Sequence, residues 1–222
     1  SISIAHNGII ENFLDIRDEL LDSGVELSSE TDSEVIAHLA GRHLATGHGL
    51  RDSLVKAVDQ LIGNTVVIAV ATSEPTKVVG LRLGNAGGIV VGKNEYSAFM
   101  ASDTGALLPH TSEVVYLESG EVVEIESGSF RLFDFNGKPI ERKSVKTNRS
   151  FRAAQKGKYP DFMSKEIAEQ PEAIQGAIAG RVNVVSGELE MPEITLSAKK
   201  IRSIDRVLIT GMGTSLHAGM FG

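Results

Sequence analysis

The spacing of apolar residues changes once along the chain, at Asn64, and this change most constrains the fold. Before Asn64, apolar side chains recur every three or four residues, which predicts three amphipathic helices. These helical segments are ENFLDIRDELLDSG, SSETDSEVIAHLAGRHLATG and LRDSLVKAVDQLIG. After Asn64, short apolar or alternating runs predict strands. A sheet-rich half with helices packed on it indicates a layered α/β or α+β domain.

Local sequence signals predict turns between strands and the start of a helix. ESGE at 118–121 and FNGK at 135–138 separate alternating runs, and their Ser-Gly and Asn-Gly pairs favour β-hairpins. Thr31 precedes the second helix with Glu34 three residues later, which is the pattern of a capping box.

The composition shifts at residues 144–162, where basic residues outnumber acidic ones and large apolar residues are few. This composition is typical of a linker. A helix that contains Pro171 and ends near Gly180 follows, and KKIRSIDRVLITGMGTSLHAG then predicts a strand, a glycine turn and a new helix. We therefore expect a second domain to begin after the linker.

Charge and composition exclude several classes of protein. The net charge of −7 makes nucleic acid an improbable partner, and no apolar run approaches the roughly 20 residues of a membrane-spanning helix. The 222 residues contain no cysteine, so they hold no disulfide, thiolate metal site or cysteine nucleophile. The chain opens without Met in a strand-like run and closes within a helix, and we expect it to be a piece of a longer protein.

Asn7-Gly8, in SISIAHNGIIEN, fits two structures. A two-residue hairpin needs strands on both sides, but helical spacing resumes a few residues later. The alternative is a strand that ends at His-Asn-Gly and exposes a carboxamide and an unhindered backbone N–H, which are the donors of an oxyanion hole. Asp32 has a structural reading as a first-turn acidic residue opposing the helix dipole, and a functional one as a ligand for a substrate ammonium group.

The order HNGIIEN, SETDSEVIAH, GALLPHTSEVVYLESGEVVEI, KYPDFMSKEIAEQPEAI and GMGTSLHAG resembles the glutamine:fructose-6-phosphate aminotransferase family over essentially the whole chain. The resemblance implies an α+β fold: a partial N-terminal-nucleophile glutaminase sandwich of helix, sheet, sheet and helix, followed by the start of an α/β sugar isomerase domain. It implies a glutaminase portion at 1–148, a linker at 149–160 and the isomerase start at 161–222.

The resemblance also implies roles for individual residues. The side-chain amide of Asn7 and the backbone N–H of Gly8 would form the oxyanion hole, and Asp32 would bind the α-ammonium of glutamine. Gly8 and Asp32 would thus both contact the substrate glutamine. Thr214 and Ser215 would bind the sugar phosphate at the N-terminus of the last helix, where free N–H groups favour an anion.

The full-length enzyme of this family would take ammonia from glutamine and convert fructose 6-phosphate to glucosamine 6-phosphate. The resemblance implies small-molecule substrates, no metal or organic cofactor, no nucleic acid or membrane partner, a cytoplasmic location and a homo-oligomer. Its cysteine nucleophile would lie upstream of residue 1, so we expect the 222 residues alone to be inactive. Ser1 is a poor substitute, because it lies in the strand leading to Asn7.

Two other functions remain open. A purine amidophosphoribosyltransferase would share the glutaminase part, although GMGTS argues against it. The absence of cysteine also allows a non-catalytic glutaminase-like or sugar-phosphate-binding regulatory module.

Overall fold

The structure, a computed structural model, describes residues 1–147, 156–183, 185–187, 189, 195–211 and 214–221. The chain divides into two compact units, Ser1–Gly157 and Lys158–Gly222. Residues 148–155, which include the first seven of the linker expected at 149–160, lie outside the described residues.

The first unit contains a six-stranded antiparallel sheet with β1 at one end. Its strands, in spatial order, are β1 (Ile2–Ile10), β2 (Gly63–Ala71), β3 (Lys77–Leu83), β7 (Glu121–Glu126), β8 (Ser129–Asp134) and β9 (Pro139–Ile140). The β-branched content of β2, GNTVVIAVA, suits its mostly buried position in the sheet.

A four-stranded antiparallel sheet lies against it. Its strands, in spatial order, are β10 (Val145–Lys146), β6 (Glu113–Tyr116), β4 (Val90–Lys93) and β5 (Ala98–Ala101). The first residues of the predicted linker segment at 144–162 therefore include a short strand, because Val145 pairs with Val114.

Three helices, α1 (Phe13–Asp22), α2 (Asp32–Ala45) and α3 (Leu50–Val58), cover one face of the six-stranded sheet. Leu20, Leu39 and Leu54 are at most 1% exposed in the core between these helices and the sheet. Burial of each such leucine contributes about 1.5–3 kcal/mol. The helical spacing before Asn64 therefore predicted this layer correctly.

The opposite face of the six-stranded sheet packs on the four-stranded sheet, where Val66 and Val123 share a core with Val91 and Leu117. On the far side of the four-stranded sheet, the short helix α4 (Thr104–Leu107) buries Leu107 against Val90 and Val114. The layers of this unit are thus helix, sheet, sheet and a short helix. The predicted α+β class is confirmed.

The predicted hairpin at 118–121 is wrong. The strand before this turn, β6, belongs to the four-stranded sheet, whereas β7 after it belongs to the six-stranded sheet. The turn is a crossover between layers, held by a hydrogen bond from Gly120 N to Arg82 O of 2.8 Å. The hairpin at 135–138 is confirmed, because β8 and β9 pair antiparallel around it.

The second unit contains three helices among its described residues: α5 (Phe162–Ile178), α6 (Ala198–Arg202) and α7 (Thr214–Phe221). Pro171 lies inside α5, as the sequence predicts. The expected strand before the glycine turn is absent from the described residues 204–211, which make no ladder with another strand. A parallel strand requires neighbours to satisfy its backbone groups.

Within the described ranges, every helix is too short or too polar to cross a bilayer.

Candidate active site

Asn7 and Gly8 lie inside β1 rather than at its end. The strand continues to Ile10, and its pairing with β2 runs without a break from Ile2 opposite Ala71 to Ile10 opposite Gly63. The expectation that the strand ends at His-Asn-Gly is therefore wrong, because this continuous ladder holds the backbone extended past residue 8.

Gly8 is required by its surroundings. Its φ of +146° is rarely adopted by residues with a side chain, and a β-carbon there would lie 2.2 Å from the Asn64 carbonyl oxygen. The strands approach too closely at this point for any side chain, so the Gly8 backbone has no side chain of its own to shield it.

The N–H of Gly8 points away from β2. Glu11 donates its N–H to Ile62 O at 2.8 Å, on the β2 side of the strand. Because backbone groups alternate between the two sides of a strand, the N–H groups of Gly8 and Ile10 face the other edge. Ile10 N indeed donates to Asp32 Oδ2 at 3.1 Å on that edge.

The Asn7 carboxamide lies on the face opposite the helices. Its Nδ2 donates to Ala86 O at 2.5 Å, in the segment between β3 and β4. Gly87 lies against the same amide, since a β-carbon on Gly87 would be 2.9 Å from Asn7 Nδ2. A carboxamide nitrogen carries two hydrogens, so a bond to Ala86 leaves one for a ligand, and Asn7 is exposed.

Asp32 is the first residue of α2, directly after the N-cap Thr31. Its side chain is 28% exposed, so a carboxylate already bound to the Ile10 N–H remains accessible to solvent. Negative charge at the first turn is also favoured by the helix dipole. The structure thus brings Asp32 to the strand that carries Asn7 and Gly8, and the capping and ligand readings of Asp32 are compatible.

The predicted capping box differs in its bonds. Thr31 occupies the N-cap position, but its side chain makes no capping hydrogen bond. Glu34 instead accepts from the N–H groups of Ser28 at 2.6 Å and Ser29 at 2.7 Å in the preceding loop. These bonds, led by that from Ser28, lower the pKa of Glu34 to about 2.

His6 is a residue of this region that the sequence did not single out. Its side chain is 1% exposed, and Nδ1 lies 2.9 Å from Ser33 Oγ and 3.7 Å from Asp32 Oδ1. Burial lowers the pKa of His6, against the opposing effect of the Asp32 charge. The alternation of side chains along β1 predicts that His6 faces the helices. It does not predict that Ser33 and Asp32 lie beside the ring.

The second set of predicted residues begins α7. Thr214 is the first helical residue, and its side chain and the preceding Met212 and Gly213 lie outside the described residues. Ser215 is exposed in the first turn. A β-carbon on Gly211 would lie 3.0 Å from Leu216 N, so the backbone before the helix passes close to its start.

Comparison with known proteins gives matches over both units. The family described as "Glutamine amidotransferase domain" matches residues 1–108. The glutamine–fructose-6-phosphate aminotransferase (isomerizing) of Streptomyces coelicolor is 37% identical over 99% of this chain and 35% of its own length. The enzyme of the same name from Methanosarcina acetivorans is 38% identical over 100% and 37%, and that from Escherichia coli K12 is 36% identical over 99% and 36%.

Among solved structures, the glutamine phosphoribosylpyrophosphate amidotransferase from B. subtilis, complexed with ADP and GMP, matches 60% of this chain and 29% of its own length. The TM-score is 0.51 and the sequence identity is 24%. This similarity supports a shared fold and nothing further.

Residues 1–108 thus match the glutamine amidotransferase domain family, and the solved structure shares the layered fold of the first unit. Identity over nearly all 222 residues goes further. The chain is homologous over nearly its whole length to glutamine–fructose-6-phosphate aminotransferases, and it spans just over a third of the length of the curated relatives it matches.

Proposed function

We propose that this chain carries the oxyanion and ammonium sites of a glutamine-hydrolysing enzyme. The observation that supports this most directly is the hydrogen bond from Ile10 N to Asp32 Oδ2, at 3.1 Å. It joins the acidic residue to the same strand edge that the Gly8 N–H faces. A negative group and a backbone donor therefore lie two residues apart along one edge.

The proposed chemistry places charge against these groups. In the complete enzyme, the α-amino group of an N-terminal cysteine would take the thiol proton, and the thiolate would add to the side-chain amide carbon of glutamine, which makes the carbonyl oxygen negative. Collapse of this intermediate, with that proton passed to the leaving nitrogen, would release ammonia and leave a thioester for water to hydrolyse. The Gly8 N–H and the free amide hydrogen of Asn7 would donate to that oxygen. Ala86 would hold the amide in place through its carbonyl.

Asp32 would bind the α-ammonium group of glutamine. One carboxylate oxygen accepts from Ile10 and the carboxylate is partly exposed, so it is oriented by the protein yet open to a ligand. A charge-assisted hydrogen bond to an ammonium group is stronger than a neutral one, which favours an amino acid over a simple amide as substrate.

The relatives' names extend the proposal to the second unit. In the complete enzyme, ammonia would aminate fructose 6-phosphate and yield glucosamine 6-phosphate, with Thr214 and Ser215 of the isomerase start at the sugar phosphate. The proposed domains are 1–148, a linker at 149–160 and 161–222. We further propose a cytoplasmic homo-oligomer with no nucleic acid or membrane partner.

A regulatory module without catalysis is the second candidate, because none of the 222 residues is cysteine. The residue at the mature N-terminus of the complete gene product separates the two candidates. A processed cysteine there supports the enzyme, and any other residue supports the module.

The donor role is tested in the complete enzyme with three variants. Asn7→Ala and the nearly isosteric Asn7→Asp should both lower kcat for glutamine hydrolysis by about 10² to 10³, because each removes the amide donor. Asn136→Ala removes an exposed amide in the 135–138 turn and serves as the matched control. Wild-type hydrolysis by Asn7→Ala would contradict the donor role.

A further inference from the structure

Resting on the proposed function, we infer that His6 is a positioning residue that holds the Asp32 carboxylate in register with the Gly8 backbone through its Nδ1 atom. His6 would not contact glutamine. It would set where the ammonium-binding group lies relative to the oxyanion donor.

The imidazole ring spans the two elements that carry these groups. At one end, Nδ1 lies 2.9 Å from Ser33 Oγ and 3.7 Å from Asp32 Oδ1, both in the first turn of α2. At the other end, a β-carbon on Gly8 would lie 3.0 Å from His6 Nε2, so the ring packs directly against the Gly8 backbone. The side chain is 1% exposed, which leaves it little freedom to move.

The two ring nitrogens have different surroundings. Nδ1 faces a hydroxyl and a carboxylate, whereas Nε2 is buried with no hydrogen-bond partner among the described residues. A neutral imidazole carries one proton, and its negative neighbour favours that proton on Nδ1. In this tautomer the Nδ1–H lies between Ser33 Oγ and Asp32 Oδ1, while Ile10 N holds the other carboxylate oxygen.

This arrangement restrains Asp32 from two sides. Without the Nδ1–H, the Ile10 bond alone would hold the carboxylate, which could then rotate away from the strand edge. A purely space-filling role for the ring would require neither nitrogen. A positioning role therefore requires a nitrogen at the Nδ1 position, whereas a packing role does not.

The experiment compares two amide variants in the complete enzyme. Asn at position 6 places an amide nitrogen near the Nδ1 position, and Gln places one near the Nε2 position. The contact of Nδ1 with Asp32 Oδ1, at 3.7 Å, is electrostatic, and the hydrogen bond to Ser33 Oγ, at 2.9 Å, holds the ring in place for it. Loss of both corresponds to about a tenfold change. We expect His6→Gln to raise KM for glutamine by about tenfold with a smaller change in kcat, and His6→Asn to restore most of the wild-type KM. Equal KM values in the two variants would overturn the inference.

Asp32→Asn separates this inference from the proposed function. If Asp32→Asn leaves KM for glutamine unchanged, the ammonium site itself is wrong. If it raises KM while His6→Gln and His6→Asn behave alike, only the positioning role fails.

A measurement on the unaltered 222-residue chain covers the case in which the variants do not fold. Long-range ¹H–¹⁵N NMR of the imidazole distinguishes the tautomers. We expect the proton of His6 on Nδ1, and a proton on Nε2 instead would overturn the inference.

Discussion

Replacement of Gly8 by alanine tests whether the close approach of β1 and β2 is as the structure has it. The new methyl group would lie 2.2 Å from the Asn64 carbonyl oxygen and 3.0 Å from Thr65 Cα, both backbone atoms of the paired strand. Neither can move without shifting the β1–β2 ladder.

The cost has two parts. The backbone at φ +146° is strained for alanine, which costs about 1–3 kcal/mol. Forcing a methyl group into a filled space between backbones costs about 1–3 kcal/mol more. A combined loss of about 4 kcal/mol is a large share of the roughly 5–15 kcal/mol that stabilises a domain.

Gly47→Ala is the matched control, because Gly47 has φ +89° but no atom within 4 Å of the place that a β-carbon would occupy. It should lose only the strain, about 1–2 kcal/mol. At about 2–4 °C per kcal/mol for a unit of this size, thermal melts followed by circular dichroism should fall by about 12 °C for Gly8→Ala and about 4 °C for Gly47→Ala. Equal shifts would refute the reasoning, and hydrogen exchange of the β1 and β2 amides would show whether the added loss is local.

Three further predictions concern other contacts. Gly87→Ala would press a methyl group against Asn7 Nδ2, 2.9 Å away, at a backbone φ of +156° that also strains alanine. Since that amide is the free end of a side chain and would be displaced rather than removed, the complete enzyme should lose about tenfold in kcat for glutamine hydrolysis, with a fall in melting temperature like that of Gly47→Ala. A wild-type kcat would contradict the contact between Gly87 and the Asn7 amide. The pKa of Glu34 is lowered from 4.5 to about 2, so the contribution of this carboxylate to stability is present above pH 4.5 and is lost as pH falls toward 2. Urea titrations across that window should show a weaker pH dependence of stability in Glu34→Gln than in the unaltered protein. An unchanged dependence would contradict the assignment. Arg142 donates to both carboxylate oxygens of Glu121, at 2.6 and 3.0 Å, and the Glu121 side chain is 8% exposed. Arg142→Met should therefore lower the free energy of unfolding in urea by about 3 kcal/mol, because it leaves a buried carboxylate unpaired. A loss below about 1 kcal/mol would show that the pair is solvated.

The helical half of the first unit could be predicted from sequence because its signal is local. Val35, Ile36 and Leu39 recur at helical spacing, and all three are at most 1% exposed. The turn at 118–121 could not be predicted in the same way. Alternation shows that VVYL and EVVEI are extended, but whether neighbouring strands share a sheet depends on partners far away in sequence.

The candidate site also combines features that the local sequence predicts with features that depend on distant residues. The motif around Asn7 and Gly8 indicates donors, yet the direction of the Gly8 N–H depends on pairing with residues 63–71. His6 was not singled out, because its contact with Ser33 joins residues 27 positions apart. The expected strand near residues 206–210 had a sufficient apolar pattern, but a single strand has no ladder partner among the described residues of its unit.

The alternation of N–H groups along β1 limits how the length of this strand can change. One residue inserted between Gly8 and Ile10, with Ile10 still paired to Gly63, would shift residues 2–8 by one register position. The Gly8 N–H would then turn from the edge that Asp32 occupies to the edge bonded to β2. Two inserted residues would restore its direction. An odd change in the length of this strand near the site would therefore separate the Gly8 donor from Asp32 unless a β-bulge takes up the extra residue, whereas a substitution at an exposed position such as Ala5 leaves the geometry intact.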